Sequence, residues 1–316
     1  MKHLFAVFLL LFLSFGLRWH NYAVYTQRGA TSDEYAFAFQ GISLLTKGVP
    51  TAWSAIPVYE NKQDLTIRGL YFPLVTPYLD HPPLFGLLAG GWSVLNGEVD
   101  FAAVRLETIR MVPLVLSVIS SIFVYLLARQ LFGKTIAVWS LAIYAAVPLF
   151  AVNSRVVVAE TLMTPLWLAA LWLTCRITAT SSSKTLLSIG LLCAALLFTK
   201  VPAVVAWISV AGILRYRKAS VRQHLLVSGA AVIGLLALYT YGRIYNEQLF
   251  LSVQAYQGTS RVLGLDTIRM ILGSPSIVNT VYYDGWYFWG YLRFLLRPWM
   301  SEKTSVSYCL RYRIYC

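Results

Sequence analysis

The feature that most constrains this chain is a succession of apolar runs, each close in length to what a helix needs to cross a lipid bilayer. About 20 mostly apolar residues are required for one crossing. Among the 316 residues, 58% are hydrophobic and 12% are charged, whereas a soluble domain carries about 25% charged residues. This composition excludes disordered chains and ordinary soluble domains, and a mean hydropathy of +0.63 is not that of a basic nucleic-acid binder. The sequence therefore predicts an all-α, polytopic membrane protein.

Seven of these runs are candidates for transmembrane helices. The first follows Lys2 and has no small-residue cleavage site after it, which favours an uncleaved span over a signal peptide. The fifth and sixth are separated only by residues 199–200, and they could be two thin spans or one re-entrant hairpin. In chain order, the runs are Leu4–Leu17, Ile109–Ala128, Ile136–Val152, Val156–Cys175, Leu186–Phe198, Val201–Leu214 and Leu225–Tyr241.

Basic residues are distributed unequally among the loops that connect these runs. Nine Lys or Arg residues lie on one side in short segments, and only Arg155 and Lys200 lie in the opposite short loops. Because basic loops remain in the cytoplasm, the N-terminus is predicted to be inside. The nine residues are Lys2, Arg129, Lys134, Arg176, Lys184, Arg215, Arg217, Lys218 and Arg222.

This orientation defines the predicted domain organisation. Residues 1–243 form the membrane module, and residues 18–108 are its first extracytoplasmic loop, whose many aromatic residues favour the lipid–water interface. Within this loop, Asp33–Leu45 and Pro82–Leu95 are predicted to be helices, the second lying flat in the interface. Residues 244–316 form an extracytoplasmic or interfacial segment, which we expect to be truncated because its last residues are polar and basic.

Acidic residues are scarce, and two adjacent ones, Asp33 and Glu34, open the first predicted helix of the loop. One interpretation is structural, since carboxylates in a first helical turn complement the helix dipole. The other is functional, because a carboxylate at the lipid–water boundary can take a proton from a hydroxyl group. The spacing alone leaves both interpretations open.

A second polar segment, Asp80-His81, precedes the two prolines that start the next predicted helix. It could serve as a helix cap with a surface histidine. Alternatively, His81 could contact a phosphate and Asp80 could hold a divalent metal ion.

The four cysteines form no CxxC pair and no Cys/His cluster, so the sequence indicates neither a disulfide framework nor a zinc site.

Further charged residues lie at the outer ends of predicted spans. Arg155 and Glu160 could form a structural ion pair, although an acid inside a membrane helix usually faces a partner or a cavity. Lys200 could snorkel to the interface or bind an anion. Asp284 lies in an aromatic stretch of the second outside region and could belong to an interfacial belt.

All of these charged residues map to the outer face under the orientation predicted from the basic loops. Transporters tend instead to place such residues near the bilayer midplane, on broken helices. The pattern therefore favours chemistry on a substrate that is held by a lipid, with its reactive group at the headgroup level.

The order of several short motifs carries a family resemblance over residues 1–215, and more loosely over residues 280–290. The motifs are Ser32-Asp33-Glu34-Tyr35, His81-Pro82-Pro83-Leu84, an Arg near the next span (Arg105 or Arg110), Ala-Arg-x-Leu-Phe-Gly at 128–133, Pro148, and Ser154-Arg155 followed by Glu160. This order resembles the polytopic C-type glycosyltransferases. The similarity is to the bacterial branch of the dolichyl-phosphate-mannose protein mannosyltransferase family, which includes aminoarabinose transferases.

The resemblance implies transfer of a sugar from a polyprenyl-phosphate donor on the extracytoplasmic face, with Asp33 as the catalytic base. It also implies that basic residues at the outer boundary hold the donor phosphate. His81 stands where aminoarabinose transferases have a Lys. Their preceding acidic residue is matched by Asp80, the candidate metal ligand.

We therefore expect an inverting glycosyltransferase of the plasma (inner) membrane, acting on a lipid, glycan or protein acceptor. The chain has no Walker or GxGxxG loop, so no nucleotide is expected, and a divalent metal is the only cofactor considered. The alternatives are a lipid-linked sugar flippase or other transporter, and an inactive truncated remnant. Besides Asp33, the residues expected to bind substrate are Glu34, His81, Arg155, Glu160 and Lys200.

Overall fold

A computed structural model describes residues 2–26, 33–259, 276–278 and 281–283. The chain divides into two compact units, Met1–Gln254 and Ala255–Cys316. Most described residues are helical, as predicted. In chain order, the α-helices are α1 (Lys2–Trp19), α2 (Asp33–Lys47), α3 (Pro83–Leu95), α4 (Leu106–Ile109), α5 (Met111–Phe132), α6 (Lys134–Ala146), α7 (Pro148–Asn153), α8 (Ala159–Thr174), α9 (Ser183–Leu197), α10 (Val204–Tyr216) and α11 (Val221–Thr259).

A three-stranded antiparallel sheet lies in the first predicted loop, and it corrects the all-α prediction. Its strands β1 (Ala52–Trp53), β2 (Gln63–Ile67) and β3 (Leu70–Val75) are arranged in the order β1-β3-β2. The β2–β3 hairpin turns at Arg68 and Gly69, which have φ values of 51° and 78°. Two positive φ angles are typical of the hairpin turn that matches the twist of its strands. In the second unit, β4 (Ser276–Val278) pairs antiparallel with β5 (Val281–Tyr283).

The seven predicted apolar runs each contain a helix, but most of these helices are short. Two helices, Leu106–Phe132 and Val221–Thr259, are long and apolar enough to cross a membrane by length and composition. The third predicted run is divided into α6 and α7, because Val147 has extended backbone angles and Pro148 starts a new helix. The number of seven spans and the N-inside orientation therefore stay predictions.

The two helices predicted in the first loop are confirmed, and they pack together through glycines. A Cβ atom on Gly41 of α2 would lie 1.9 Å from the carbonyl oxygen of Gly86 in α3. A Cβ atom on Gly90 would lie 2.4 Å from the backbone nitrogen of Ile42. Only glycine permits this close approach of the two helix backbones.

Buried apolar residues join the loop to the other helices of the first unit. The larger cluster packs α2 and the sheet, together with Phe85 and Ala89 of α3, against the beginnings of α4, α5 and α8. A second cluster joins α8, α9, α10 and α11. The loop is therefore fixed on the helix bundle, and the N-terminal end of α2 lies beside the segment that leads into α8.

We expect Gly41→Ala to lower the apparent melting temperature of the detergent-solubilised protein, because overpacking of a tight contact costs about 1–3 kcal/mol. The matched control is Gly212→Ala in α10, where an added Cβ would meet nothing within 4 Å. That variant should melt at or slightly above the parental temperature, since Ala favours helix over Gly. Equal melting temperatures for Gly41→Ala and the parent would contradict the close packing of α2 on α3.

Candidate functional site

A buried ion pair holds the N-terminal turn of α2. The Nε and Nη2 atoms of Arg110 donate to the two carboxylate oxygens of Glu34, each at 2.8 Å. Both side chains are fully buried, with 0% of their area exposed. A bidentate pair of this kind is directional as well as strong, so it orients the first turn of α2 relative to the start of α5.

The remaining contacts of this pair reach two other segments. Arg110 Nη1 donates to the carbonyl oxygens of Tyr22 and Thr26, at 2.9 and 3.0 Å. The backbone N–H of Val157 donates to Glu34 Oε1 at 3.1 Å. The pair therefore joins α2, α5, the segment after α1 and the segment before α8.

Asp33, the predicted base, is the residue immediately before Glu34 and is partly exposed. Its negative charge acts on Asp80 and Tyr78, and it contributes to raising the pKa of both. The structure therefore brings the two acids of the predicted site, Asp33 and Asp80, into the same region. The alternative helix-dipole role of Asp33 is compatible with its place in the first turn of α2.

Asp80 is buried, and both of its carboxylate oxygens accept hydrogen bonds from the first loop. Ser54 Oγ donates to Oδ2 and the Tyr59 hydroxyl donates to Oδ1, each at 2.6 Å. Burial raises the pKa of Asp80 to about 6, although the hydrogen bonds from Ser54 and Tyr59 and the charge of Lys62 oppose the shift. Asp80 therefore ties the segment before α3 to the sheet and to the chain between β1 and β2.

The metal role considered for Asp80 finds no supporting ligand set among the residues that the structure describes. No group of three or more His, Cys, Asp or Glu side chains there is close enough to hold a metal ion. The two oxygens of Asp80 are engaged by hydroxyl groups instead.

His81 is held by stacking and by a backbone contact. Its ring lies against Phe37, with centroids 5.0 Å apart and an angle of 22° between the planes. Its carbonyl oxygen accepts a hydrogen bond from Gln40 Nε2 at 2.9 Å. His81 also lies near enough to Glu160 for its charge to act on that carboxylate.

Glu160 pairs with Lys200 rather than with Arg155, so the structural pair considered from the sequence is replaced by a different one. The Lys200 ammonium donates to Glu160 Oε1. The Glu160 side chain is 56% exposed and that of Lys200 is 20% exposed. Because the carboxylate remains accessible, this pair can still be reached by a substrate.

Arg155 occupies a more buried place. It is 7% exposed, and its Nη2 donates to the carbonyl oxygen of Leu17 at 2.5 Å. Its guanidinium lies 5.9 Å from the ring centroid of Tyr25. Within the described residues, its Nε has no hydrogen-bond partner, so Arg155 keeps one donor uncommitted.

A cavity of about 390 Å³ opens beside Glu160, between α5, α6, α7 and α8. Glu160 lies on its wall, so the Glu160–Lys200 pair is at its edge. Other residues on the wall are Ser117, Ser120, Tyr144, Asn153 and Ser154.

Asp284, the remaining charged residue singled out in the sequence, lies outside the residues that the structure describes.

The sequence profile of the dolichyl-phosphate-mannose-protein mannosyltransferase family matches residues 80–241, which is just over half of the chain. The chain belongs to this family. The match begins at Asp80 and includes Arg110, Arg155, Glu160 and Lys200. Members of the family are membrane proteins, which confirms the broad class predicted from composition; the bacterial branch stays a prediction.

Solved glycosyltransferase structures share the fold. The Saccharomyces cerevisiae protein O-mannosyltransferase Pmt1-Pmt2 complex, bound to the sugar donor, is 18% identical over 80% of this chain and 34% of that chain, with a TM-score of 0.51. The Archaeoglobus fulgidus oligosaccharyltransferase AglB, in complex with an inhibitory peptide and a dolichol-phosphate, is 14% identical over 96% of this chain and 45% of that chain. Its TM-score is 0.51.

A second Archaeoglobus fulgidus oligosaccharyltransferase structure, tethered to an acceptor peptide, is 13% identical over 96% of this chain and 44% of that chain, with a TM-score of 0.53. At these identities the likeness shows the fold alone. The chain spans less than half the length of each of these structures. No curated protein sequence matches the chain.

Three residues that shape this family member's site were missed as site residues in the sequence. The sequence places Arg110 only as a motif residue at the edge of a predicted span, and it predicts neither Ser54 nor Tyr59 as a site residue. The signal for Arg110 is its position, because a cation at the edge of an apolar run often pairs with a buried acid. Ser54 and Tyr59 carry no comparable signal, since their partner Asp80 is more than 20 residues away.

We expect Arg110→Ala to destabilise the protein strongly, since removing one partner of a buried ion pair costs about 3–5 kcal/mol. The measurement is the apparent melting temperature in detergent, and Arg110→Lys, which keeps the charge but loses the bidentate contact, should fall between parent and Arg110→Ala.

Arg243→Ala is the matched control for that variant. Arg243 and Glu247 form an exposed pair with an N–O distance of 3.7 Å, and such pairs contribute about 0–1 kcal/mol. If Arg110→Ala and Arg243→Ala shift the melting temperature equally, the Glu34–Arg110 pair does not hold the loop on the bundle.

Proposed function

We propose that this chain carries the catalytic site of an inverting glycosyltransferase, which moves a sugar from a polyprenyl-phosphate donor to an acceptor hydroxyl. The observation that carries the proposal is Asp33 in the first turn of α2, held beside the Glu34–Arg110 pair in a chain of the mannosyltransferase family. The yeast relative is bound to a sugar donor, and an archaeal relative is bound to a dolichol-phosphate.

Asp33 acts as the general base in this proposal. The acceptor hydroxyl loses its proton to a carboxylate oxygen of Asp33 while the hydroxyl oxygen attacks the anomeric carbon. The bond between that carbon and the phosphate oxygen breaks, and the polyprenyl phosphate leaves with the electron pair. Because attack and departure occur on opposite faces of the sugar, the configuration inverts. A positioned base contributes about 10²–10⁴ to such a rate.

The cations of the site offset the charge that develops on the departing phosphate. The Lys200 side chain is 20% exposed, and its partner Glu160 is exposed on the wall of the cavity. His81, stacked on Phe37, is close enough for its charge to act on Glu160. Arg155, which is 7% exposed, contributes its positive charge from a more buried position. Charge-assisted contacts of this kind are the strong ones in phosphate recognition.

Glu34 is a positioning residue in this proposal, and it acts on the base through the backbone. Both of its oxygens are engaged, one by Arg110 and Val157 and the other by Arg110. Its fully buried carboxylate is therefore assigned to orienting Arg110 and the turn that carries Asp33. Glu160, which is exposed, is the better candidate to orient the acceptor or Lys200.

The transporter alternative gains no specific support from the structure. The charged residues of the site lie at helix ends and in the first loop, whereas a transport path needs polar residues near the bilayer midplane. We assign the site to the extracytoplasmic face of the plasma (inner) membrane. The acceptor is a hydroxyl-bearing lipid, glycan or protein.

We expect Asp33→Asn to lower the rate of sugar transfer by about 10²–10⁴, because Asn keeps the size of Asp but cannot take the proton. The measurement is transfer from radiolabelled polyprenyl-phosphate mannose in membranes that contain the chain, alongside binding of the same donor, which should be retained. Glu60→Gln is the matched control, since Glu60 is an exposed acid of the same loop. Near-parental transfer by Asp33→Asn would place the base elsewhere, with Glu160 as the next residue to test.

We expect an Asn61→Cys variant to react with a membrane-impermeant thiol reagent in intact spheroplasts, since Asn61 is exposed in the loop assigned to the extracytoplasmic side. Lys218→Cys, in the connection before α11, should react only after lysis. Cys175 and Cys193 are buried, and the parental chain measures the remaining background. Labelling of Asn61→Cys only after lysis would overturn the assigned face.

A further inference from the structure

A second pocket lies on the first loop, apart from the cavity that contains Glu160. Its volume is about 370 Å³, and it lies between the segment after α1, the C-terminal end of α3 and the start of α4 and α5. None of the residues considered for donor binding lines it. The lining residues used below are Tyr22, Trp92, Asn96, Arg105 and Glu107.

The pocket is built on a buried carboxylate. Glu98 is 3% exposed and accepts hydrogen bonds from Ser93 Oγ at 2.8 Å, Thr108 Oγ1 at 2.6 Å and Arg105 Nε at 2.7 Å. Burial alone would raise the pKa of Glu98, but these three donors lower it. Arg105 is thereby fixed through one edge of its guanidinium. In the described part of the chain, its two terminal nitrogens donate no hydrogen bond, and its side chain is 57% exposed.

Two aromatic residues form the apolar part of the pocket. Trp92 is 40% exposed. The ring of Tyr22 packs against Trp19, with centroids 4.9 Å apart, which restricts its position. Tyr22 and Glu107 both line the pocket. Burial and the nearby carboxylate of Glu107 raise the pKa of Tyr22. An exposed indole face suits the C–H groups of a pyranose ring, because these groups are apolar and slightly positive.

The polar groups of the pocket match a polyhydroxyl ligand. Each sugar hydroxyl both donates and accepts, and the pocket offers an acceptor in Glu107, donors in Arg105 and both functions in Asn96. Asn96 is oriented by the bond from its Nδ2 to the carbonyl oxygen of Trp92 at 2.8 Å. Because Glu98 balances the charge of Arg105, the carboxylate of Glu107 disfavours an anionic headgroup in this pocket. A purely apolar ligand would leave the three polar side chains without partners.

We propose that this pocket binds the sugar ring of a saccharide and that this saccharide is part of the acceptor. The link to the catalytic site is the carbonyl oxygen of Tyr22, which accepts from Arg110 Nη1 at 2.9 Å. The same Arg110 holds Glu34, the neighbour of Asp33. The pocket and the base thus share one rigid framework. The acceptor assignment rests on the proposed function, whereas saccharide binding does not.

Saccharide binding is tested by saturation-transfer NMR on the detergent-solubilised full chain, with methyl α-D-mannopyranoside as the probe and glycerol 1-phosphate as the headgroup mimic. We expect saturation transfer to the ring protons of the saccharide. Trp92→Leu and Glu107→Gln should each weaken binding about tenfold, which is the usual effect of losing one contact to a charged group or an aromatic platform. Trp139→Leu is the matched tryptophan control, since Trp139 is 66% exposed on α6.

Three results would overturn saccharide binding: no saturation transfer to the parent, tighter binding of glycerol 1-phosphate than of the saccharide, or an equal loss in Trp139→Leu. The acceptor assignment has its own measurement, in which Glu107→Gln should raise the acceptor KM about tenfold with little change in kcat. An unchanged KM would overturn that assignment. Asp33→Asn should bind the saccharide like the parent, so near-parental transfer by Asp33→Asn would refute the proposed base and leave the pocket standing.

Discussion

The first unit depends on one buried interaction, the Glu34–Arg110 ion pair. Burying two charges is costly, and the cost is offset only when the geometry is good and every polar atom finds a partner. Here the guanidinium donates to Glu34, Tyr22 and Thr26, while Val157 completes the coordination of the carboxylate. These contacts come from four separate segments, so the pair forms only when all four are in place. The pair therefore selects the correctly packed arrangement of these segments more than it adds net stability.

The position of the pair explains how a residue of the first loop, Asp33, can be held at a defined place. Asp33 is adjacent to Glu34, and its backbone is therefore held by a fully buried contact although its side chain is partly exposed. The same framework has two openings. The cavity beside Glu160 is the place proposed for the donor, and the pocket around Trp92 and Arg105 is the place proposed for a hydroxyl-rich acceptor. Small shifts in such a framework would misplace the reacting groups and lower the reaction rate.

Much of the local structure was predictable from the amino-acid sequence because it depends on local patterns. The apolar runs predicted helices in the correct places, and the Asp33-Glu34 pair predicted the start of α2 from its first-turn acids. Pro82-Pro83 predicted the start of α3. The sheet was missed, although Gly69 in a two-residue turn between alternating residues was a hairpin signal, because the aromatic density of the loop favoured interfacial helices. The family motifs depend on order along the chain, and they predicted the family.

The sequence by itself therefore determined an apolar, mostly helical membrane chain of a mannosyltransferase family, with acids and cations near the predicted helix ends. Only the tertiary structure decided which of these charges meet. It paired Glu160 with Lys200 rather than with Arg155, buried Glu34 against Arg110, and enclosed Asp80 between Ser54 and Tyr59. The physical reason is that such partners are 21 to 76 residues apart. A contact over that distance is selected by the packing of whole elements, which short-range periodicity does not encode.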